Sequence, residues 1–202
     1  MKRYIYLISP QKISQPKFYE DLSNVLKTKK VKYFQLRLKK TSISNLLKTS
    51  KKIKKIVKKN NVKFIINDKP FVAKKVGADG CHIGQKDMDY ASARKILGKN
   101  KIIGVTCHNS KKLAIKAKKD GANYVAFGSF FKSSTKKTAF KANLAILRWA
   151  KKKINMPIVA IGGINSSNYK KILSSGADFV AFSSYVWNNK KLDPVSTINK
   201  FK

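Results

Sequence analysis

At 202 residues the chain has the length of one domain with an ordinary core, so neither a large insertion nor a second domain is expected. Its 46 Lys+Arg against 9 Asp+Glu give a formal net charge of +37, a balance that taken alone points to nucleic acid or another anionic surface. The lysines pepper every helical stretch, however, and Arg3, Arg37, Arg94 and Arg148 are the only arginines, so specific base reading is not expected and polyanion binding should be weak and salt-sensitive.

From the N-terminus, Met1-Lys2-Arg3 leads directly into the apolar run 4–8, which is strand-like and too short for a signal core. No segment reaches the ~20 apolar residues of a membrane span, and two cysteines make no disulfide framework. A reduced, soluble, cytoplasmic protein is expected. Further strand candidates follow at 32–38, 62–67, 80–83, 101–105, 123–128, 157–161 and 179–183. Between them lie Lys-rich stretches with helical spacing, such as Ile43, Leu46, Leu47, Ile53, Ile56 and Val57. An internal echo recurs where helical patterns end and strands begin: Gly77-Ala78-Asp79, Gly121-Ala122-Asn123 and Gly176-Ala177-Asp178. Glycine there supplies a left-handed helix cap and needs no chemical role. Eight strands alternating with helices predict an α/β chain folded as one (β/α)8 barrel over residues 1–202. In such a barrel the C-terminal strand ends, and the loops that follow them, converge on one mouth.

The polar residues gather at those ends. Gln35, Arg37 and Lys39 alternate through the end of the second strand, so they share one face while Leu36 and Leu38 take the other. An Arg and a Lys facing a barrel interior are costly to bury unless they meet an anion, and a diphosphate is the candidate. Asp68 and Asp87 each follow a strand, and two such carboxylates suit Mg2+ completed by water and phosphate oxygens. The alternative is that Asp68 caps a helix beginning near Lys69-Pro70 and Asp87 one beginning near Met88. Cys81-His82 and Cys107-His108 carry zinc-ligand types, but strand neighbours point to opposite faces, so neither pair should close on one metal. The long loop at 129–139 offers Ser133, Ser134, Thr135 and Lys136 for a second phosphate or a closing contact. Gly162-Gly163 ends the seventh strand and Ser183-Ser184 the eighth, where barrels of this class recurrently bind phosphate through backbone N–H groups.

Taken in order from Tyr4 to Ser184, these segments resemble the thiamine phosphate synthase family. The pieces that carry the resemblance are Gln35-Leu-Arg-Leu-Lys39, Ile65-Ile-Asn-Asp68, Gly77 through Asp87, Ile103-Gly-Val-Thr106, Gly128 through Lys136, Ala160 through Ile164 and Val180 through Val186. The resemblance implies that a hydroxymethylpyrimidine diphosphate is joined to a thiazole phosphate, with release of diphosphate. It implies that Gln35, Arg37, Lys39 and Asn67 hold the pyrimidine diphosphate and that Asp68 and Asp87 hold Mg2+. Lys136 would bind the departing diphosphate, and Ser133, Ser134, Thr135, Gly163, Ser183 and Ser184 the thiazole phosphate. Thr106 stands where the family usually has Ser, Leu38 where it has Glu, and Ser129 and Lys132 where it commonly has Pro. The C–O bond would break ahead of attack, with Arg37, Lys39, Thr106 and Lys136 carrying the catalysis. The runner-up is the related thiazole tautomerase, for which His108 is compatible, and behind it a basic nucleic-acid-binding barrel.

Overall fold

The computed structural model describes residues 4–14, 16–131 and 140–202. Strands β1 (Ile5–Ile8), β2 (Val31–Leu36), β3 (Lys63–Asn67), β4 (Gly80–Ile83), β5 (Ile102–His108), β6 (Tyr124–Gly128), β7 (Ile158–Ile161) and β8 (Phe179–Phe182) pair in parallel in chain order. Pairing of β1 with β8 closes the barrel, so the chain folds as the expected (β/α)8 barrel. Helices α1 (Lys17–Lys27), α2 (Ile43–Lys59), α3 (Pro70–Val76), α4 (Tyr90–Leu97), α5 (Lys111–Asp120), α6 (Leu144–Lys153) and α7 (Tyr169–Ser174) connect the strands, and α8 (Ser184–Trp187) and α9 (Pro194–Asn199) follow β8.

Two-residue alternation decides which side chains face the helices and which face the axis. Ile5, Leu7, Phe34, Leu36, Phe64, Ile66, Cys81, Ile83, Val105, Cys107, Val125 and Phe127 join the core shared with the helices. Tyr6, Ile8, Tyr124, Ala126, Val159 and Ala181 form a second cluster inside the barrel, with Tyr33 and Phe179 packed on it. Small residues make room for this interior. A Cβ on Gly104 would run into the Tyr124 ring, so glycine on β5 lets a tyrosine from β6 lie across the axis. The same alternation puts Gln35, Asn67, His82 and Thr106 on the axial side of their strands.

The Gly-Ala-Asp/Asn echo has a second half that glycine capping does not explain. Gly77 and Gly121 are left-handed C-caps, as expected, and Gly176 follows its helix at φ 115°. The residue two places on is a latch: Asp79 accepts from the Phe64 N–H on β3 at 2.8 Å, Asn123 from Ile103 on β5 at 2.8 Å, and Asp178 from Ile158 on β7 at 3.0 Å. Three strand pairs are thus pinned at the barrel end opposite the mouth.

Two strand ends differ from the sequence expectation by more than one residue. β2 stops at Leu36 because the Arg37 N–H is taken by the Ser9 hydroxyl at 3.0 Å, which breaks the ladder. β5 runs on to His108, which pairs with Phe127 beyond an irregularity after Thr106. After β6, Phe130 and Phe131 donate to the carbonyls of Ile161 and Gly162, and Ser129 and Ala142 link the chain's departure to its return at Phe140. Lys132, Ser133, Ser134, Thr135 and Lys136 lie between these anchors, outside the described residues.

Candidate active site

At the C-terminal ends of β2, β3, β4 and β5 the axial polar residues meet. Gln35 is almost fully buried, and its amide donates to Asn67 Oδ1 at 2.8 Å, which fixes both amides across neighbouring strands. Arg37 and Lys39 stand in the loop beyond β2, not on its inner face, so strand alternation accounts for Gln35 and only for the start of this series. Leu38 packs on the outer core, away from the polar side. Lys39 reaches Asp68, beyond the end of the neighbouring strand β3, with Nζ 3.3 Å from Oδ2.

Asp68 follows β3 in left-handed backbone at φ 59°, with its N–H donated to the His82 carbonyl at 2.8 Å. Aspartate tolerates that region better than most residues. Burial raises its pKa above the ordinary carboxylate value, and Asp87, within hydrogen-bonding reach, raises it further, while Lys39 acts in the opposite sense. Asp87 accepts from the Gly84 N–H at 3.0 Å. Neither carboxylate caps a helix: the N-cap of α3 is Lys69, without a side-chain bond, and that of α4 is Asp89, which accepts from Ser92. Capping therefore does not account for either acid. Among the described residues no group of three or more His, Cys, Asp or Glu side chains is placed to hold a metal, so a cation here takes two protein carboxylates at most.

Thr106 lies on β5 with its Oγ1 2.8 Å from His82 Nε2. His82 Nδ1 is 2.9 Å from the Tyr124 hydroxyl, which is 2.7 Å from that of Tyr6. Burial pulls His82 down to about 4, opposed by Asp87 and aided by Arg37, so the imidazole is neutral at physiological pH. His82, Tyr124 and Tyr6 are the polar partners that sequence reasoning missed as a set. The signal was present in their inward strand parity, but which strands face one another across the axis is a tertiary fact. Cys81 joins the outer core while His82 faces inward, so the two do split across the strand.

The remaining positions gather on the other side of the mouth. Gly162 and Gly163 follow β7 at φ 105° and 64°, and the Gly163 carbonyl accepts from Asn168 at 3.2 Å. Ser183 donates to the Ser9 carbonyl at 3.0 Å, and Ser184 begins α8. Ser9 thus ties β8 to β2 through β1, linking the two halves of the mouth. His108 stacks on Phe140 with ring centroids 4.1 Å apart.

The model of a family described as thiamine monophosphate synthase matches residues 5–186. A thiamine-phosphate synthase of Pelagibacter ubique is 58% identical over 201 residues, spanning 100% of this chain and 97% of that protein. One of Rhodospirillum centenum is 40% identical over 92% of this chain and 89% of its own length. Among solved structures, a thiamine phosphate pyrophosphorylase from Pyrococcus furiosus superposes with a TM-score of 0.87 at 29% identity, covering 98% of this chain and 93% of that one. With a mouth so furnished and similarity running the length of the barrel, the chain belongs to the thiamine monophosphate synthase family and is an enzyme, a transferase of thiamine biosynthesis.

Proposed function

We propose that the chain condenses 4-amino-2-methyl-5-(diphosphooxymethyl)pyrimidine with 4-methyl-5-(2-phosphoethyl)thiazole, or its carboxylated form, to give thiamine phosphate and diphosphate. The observation that carries this reading is the union, at one mouth, of the Gln35–Asn67 amide pair with the Lys39, Asp68 and Asp87 charges. A crossed amide pair suits the edge of a pyrimidine, and a cation beside two carboxylates suits a diphosphate delivered with a metal.

The donor set fits Mg2+: two carboxylates, close enough that one raises the other's proton affinity, are relieved by a divalent cation. Asp68 and Asp87 would hold it, and when bound it supplies neutralisation of charge on the diphosphate. Gln35 and Asn67 orient the pyrimidine. Arg37 and Lys39 meet the diphosphate oxygens, and Lys136 receives the leaving group. The methylene C–O bond breaks, its electron pair departs with diphosphate, and the thiazole ring nitrogen forms the new C–N bond to the pyrimidine methylene. No general base is required in that exchange. Gly163, Ser183, Ser184 and the hydroxyls of Ser133, Ser134 and Thr135 take the thiazole phosphate, and the closed barrel below keeps water from the cationic pyrimidine.

The test is direct. Given both substrates and Mg2+, the purified protein is expected to release diphosphate in step with thiamine phosphate, and Lys136→Ala to slow this roughly a hundredfold, the scale of one preorganised electrostatic contact. Thiazole tautomerisation without coupled product, dependent on His108 and not on Lys136, would establish the tautomerase reading instead.

A further inference from the structure

The hydrogen-bonded file inside the barrel contains more protons than contacts, and the arithmetic fixes their direction. Three contacts, Tyr6–Tyr124, Tyr124–His82 and His82–Thr106, each use one proton. Tyr6 is 2% exposed, lies among the apolar residues of the barrel interior, and has Tyr124 as its one hydrogen-bond partner among the described residues. Its hydroxyl must therefore donate to Tyr124, because the reverse leaves a buried O–H with no acceptor. Tyr124 then gives its own proton to His82 Nδ1. A ring that accepts at Nδ1 carries its proton on Nε2 and donates it to Thr106 Oγ1. A charged ring, or one protonated at Nδ1, would drive Tyr124 to donate to Tyr6 and strand the Tyr6 proton. The Thr106 proton is left over. It has no use within the file, and Thr106 is only partly buried at the mouth.

We propose that Tyr6, Tyr124 and His82 form a positioning device that locks His82 as its Nε2–H tautomer and so presents the Thr106 hydroxyl as an obligatory hydrogen-bond donor to an acceptor atom of the bound pyrimidine diphosphate. The packing supports a rigid device. The Tyr124 ring occupies the space that Gly104 leaves, and Tyr6 is stacked on Tyr33 with centroids 5.4 Å apart. Thr106 is thereby polarised: one of its lone pairs is engaged from below and its proton is free to face the ligand. The one proton with no partner in the file is that of Thr106, so the site favours an acceptor atom at that position. The inference rests on the proposed placement of the pyrimidine diphosphate at this mouth.

The chain has two histidines, which makes the ring state measurable in the intact protein. Long-range 15N–1H spectra of labelled protein, with His108→Gln to assign the second ring, are expected to show His82 protonated at Nε2 alone. Tyr6→Phe should keep that tautomer, since Tyr124 still has no acceptor but His82, whereas Tyr124→Phe should release it to a mixture. In turnover assays Tyr124→Phe is expected to lower kcat about tenfold with little change in the KM for the thiazole phosphate, and to cost about twofold or less in a Thr106→Val background, because partners in one network are not additive. An Nδ1–H or doubly protonated His82 in the wild-type chain overturns the device. The expected tautomer with fully additive kinetic losses overturns instead the placement of the pyrimidine diphosphate against Thr106.

Discussion

Asp68 joins three features that an ordinary surface carboxylate lacks: left-handed backbone, partial burial and a second carboxylate within hydrogen-bonding reach. A carboxyl whose pKa is raised by folding stabilises the fold below its ordinary value near 3.8 and loses that contribution as the pH climbs through the raised value. Above it, two carboxylates face each other without a shared proton, and Mg2+ held there as proposed would compete with the proton for the same oxygens. Addition of Mg2+ is therefore expected to raise the melting temperature at about pH 7.5, and that rise to fade on acidification at a pH higher than an ordinary aspartate would give. Asp68→Asn should raise the metal-free melting temperature at neutral pH and abolish the response, and Asp87→Ala should abolish it too. Scanning fluorimetry decides this: an undiminished Mg2+ shift in the Asp68→Ala/Asp87→Ala double variant removes the pair as the metal site. At this scale the sequence showed residue type and strand end well, which is why Gln35, Asn67, Asp68, Asp87 and Thr106 come together. It did not show that Lys39 would pair with Asp68 from a loop, or that Tyr6 and Tyr124, which read as plain strand aromatics, would end in hydroxyls facing His82.

The latches operate between elements. Asp79 and Asp178 each satisfy a strand N–H and hold a lysine, Lys63 at 3.2 Å and Lys151 at 2.8 Å. The exposed lysine contributes little, so the backbone bond carries the effect. Asp79→Ala and Asp178→Ala are each expected to cost ~1–2 kcal/mol of stability, the scale of a strand N–H left without its acceptor. Because the latches lie at the far end from the mouth, turnover per folded molecule should hold. Urea denaturation alongside steady-state assays tests the separation, and a loss of turnover equal to the loss of folded protein is the expected limit. The eight strands were legible because period-two alternation and the repeating glycine signals agree with each other. Their exact ends were less so: β2 is cut short by the Ser9 hydroxyl, a contact from 28 residues away that no local pattern encodes.

Across the whole molecule, nine acids face 46 basic residues, and those acids are placed with economy. Asp68 and Asp87 stand at the mouth, Asp79 and Asp178 latch strands, and Asp89 and Asp193 cap helices. Asp21 and Asp120 pair with lysines one turn away, and Glu20 lies in the first turn of α1. Asp21, Asp79, Asp120 and Asp178 each offset a single exterior lysine, which leaves most of the positive surface unbalanced, so the folded chain repels itself at low salt. Raising the salt to about 0.3 M is expected to raise the melting temperature by screening, while weakening any binding to RNA or DNA steeply and without regard to sequence. Melting curves and anisotropy titrations over the same salt series measure both, and tight preference for one nucleic-acid sequence would contradict the even spread of lysines. The latches bear on assembly as well as on stability. Each joins residues only 15 or 20 positions apart, so the contacts between β3 and β4, β5 and β6, and β7 and β8 close short loops at little entropic cost. A backbone cut in the turn at 98–101 would leave each of these closures whole on one side of the break, whereas a cut between 65 and 78 would sever the first; the barrel is thus partitioned into covalently local modules, with seams between β2 and β3, between β4 and β5 and between β6 and β7.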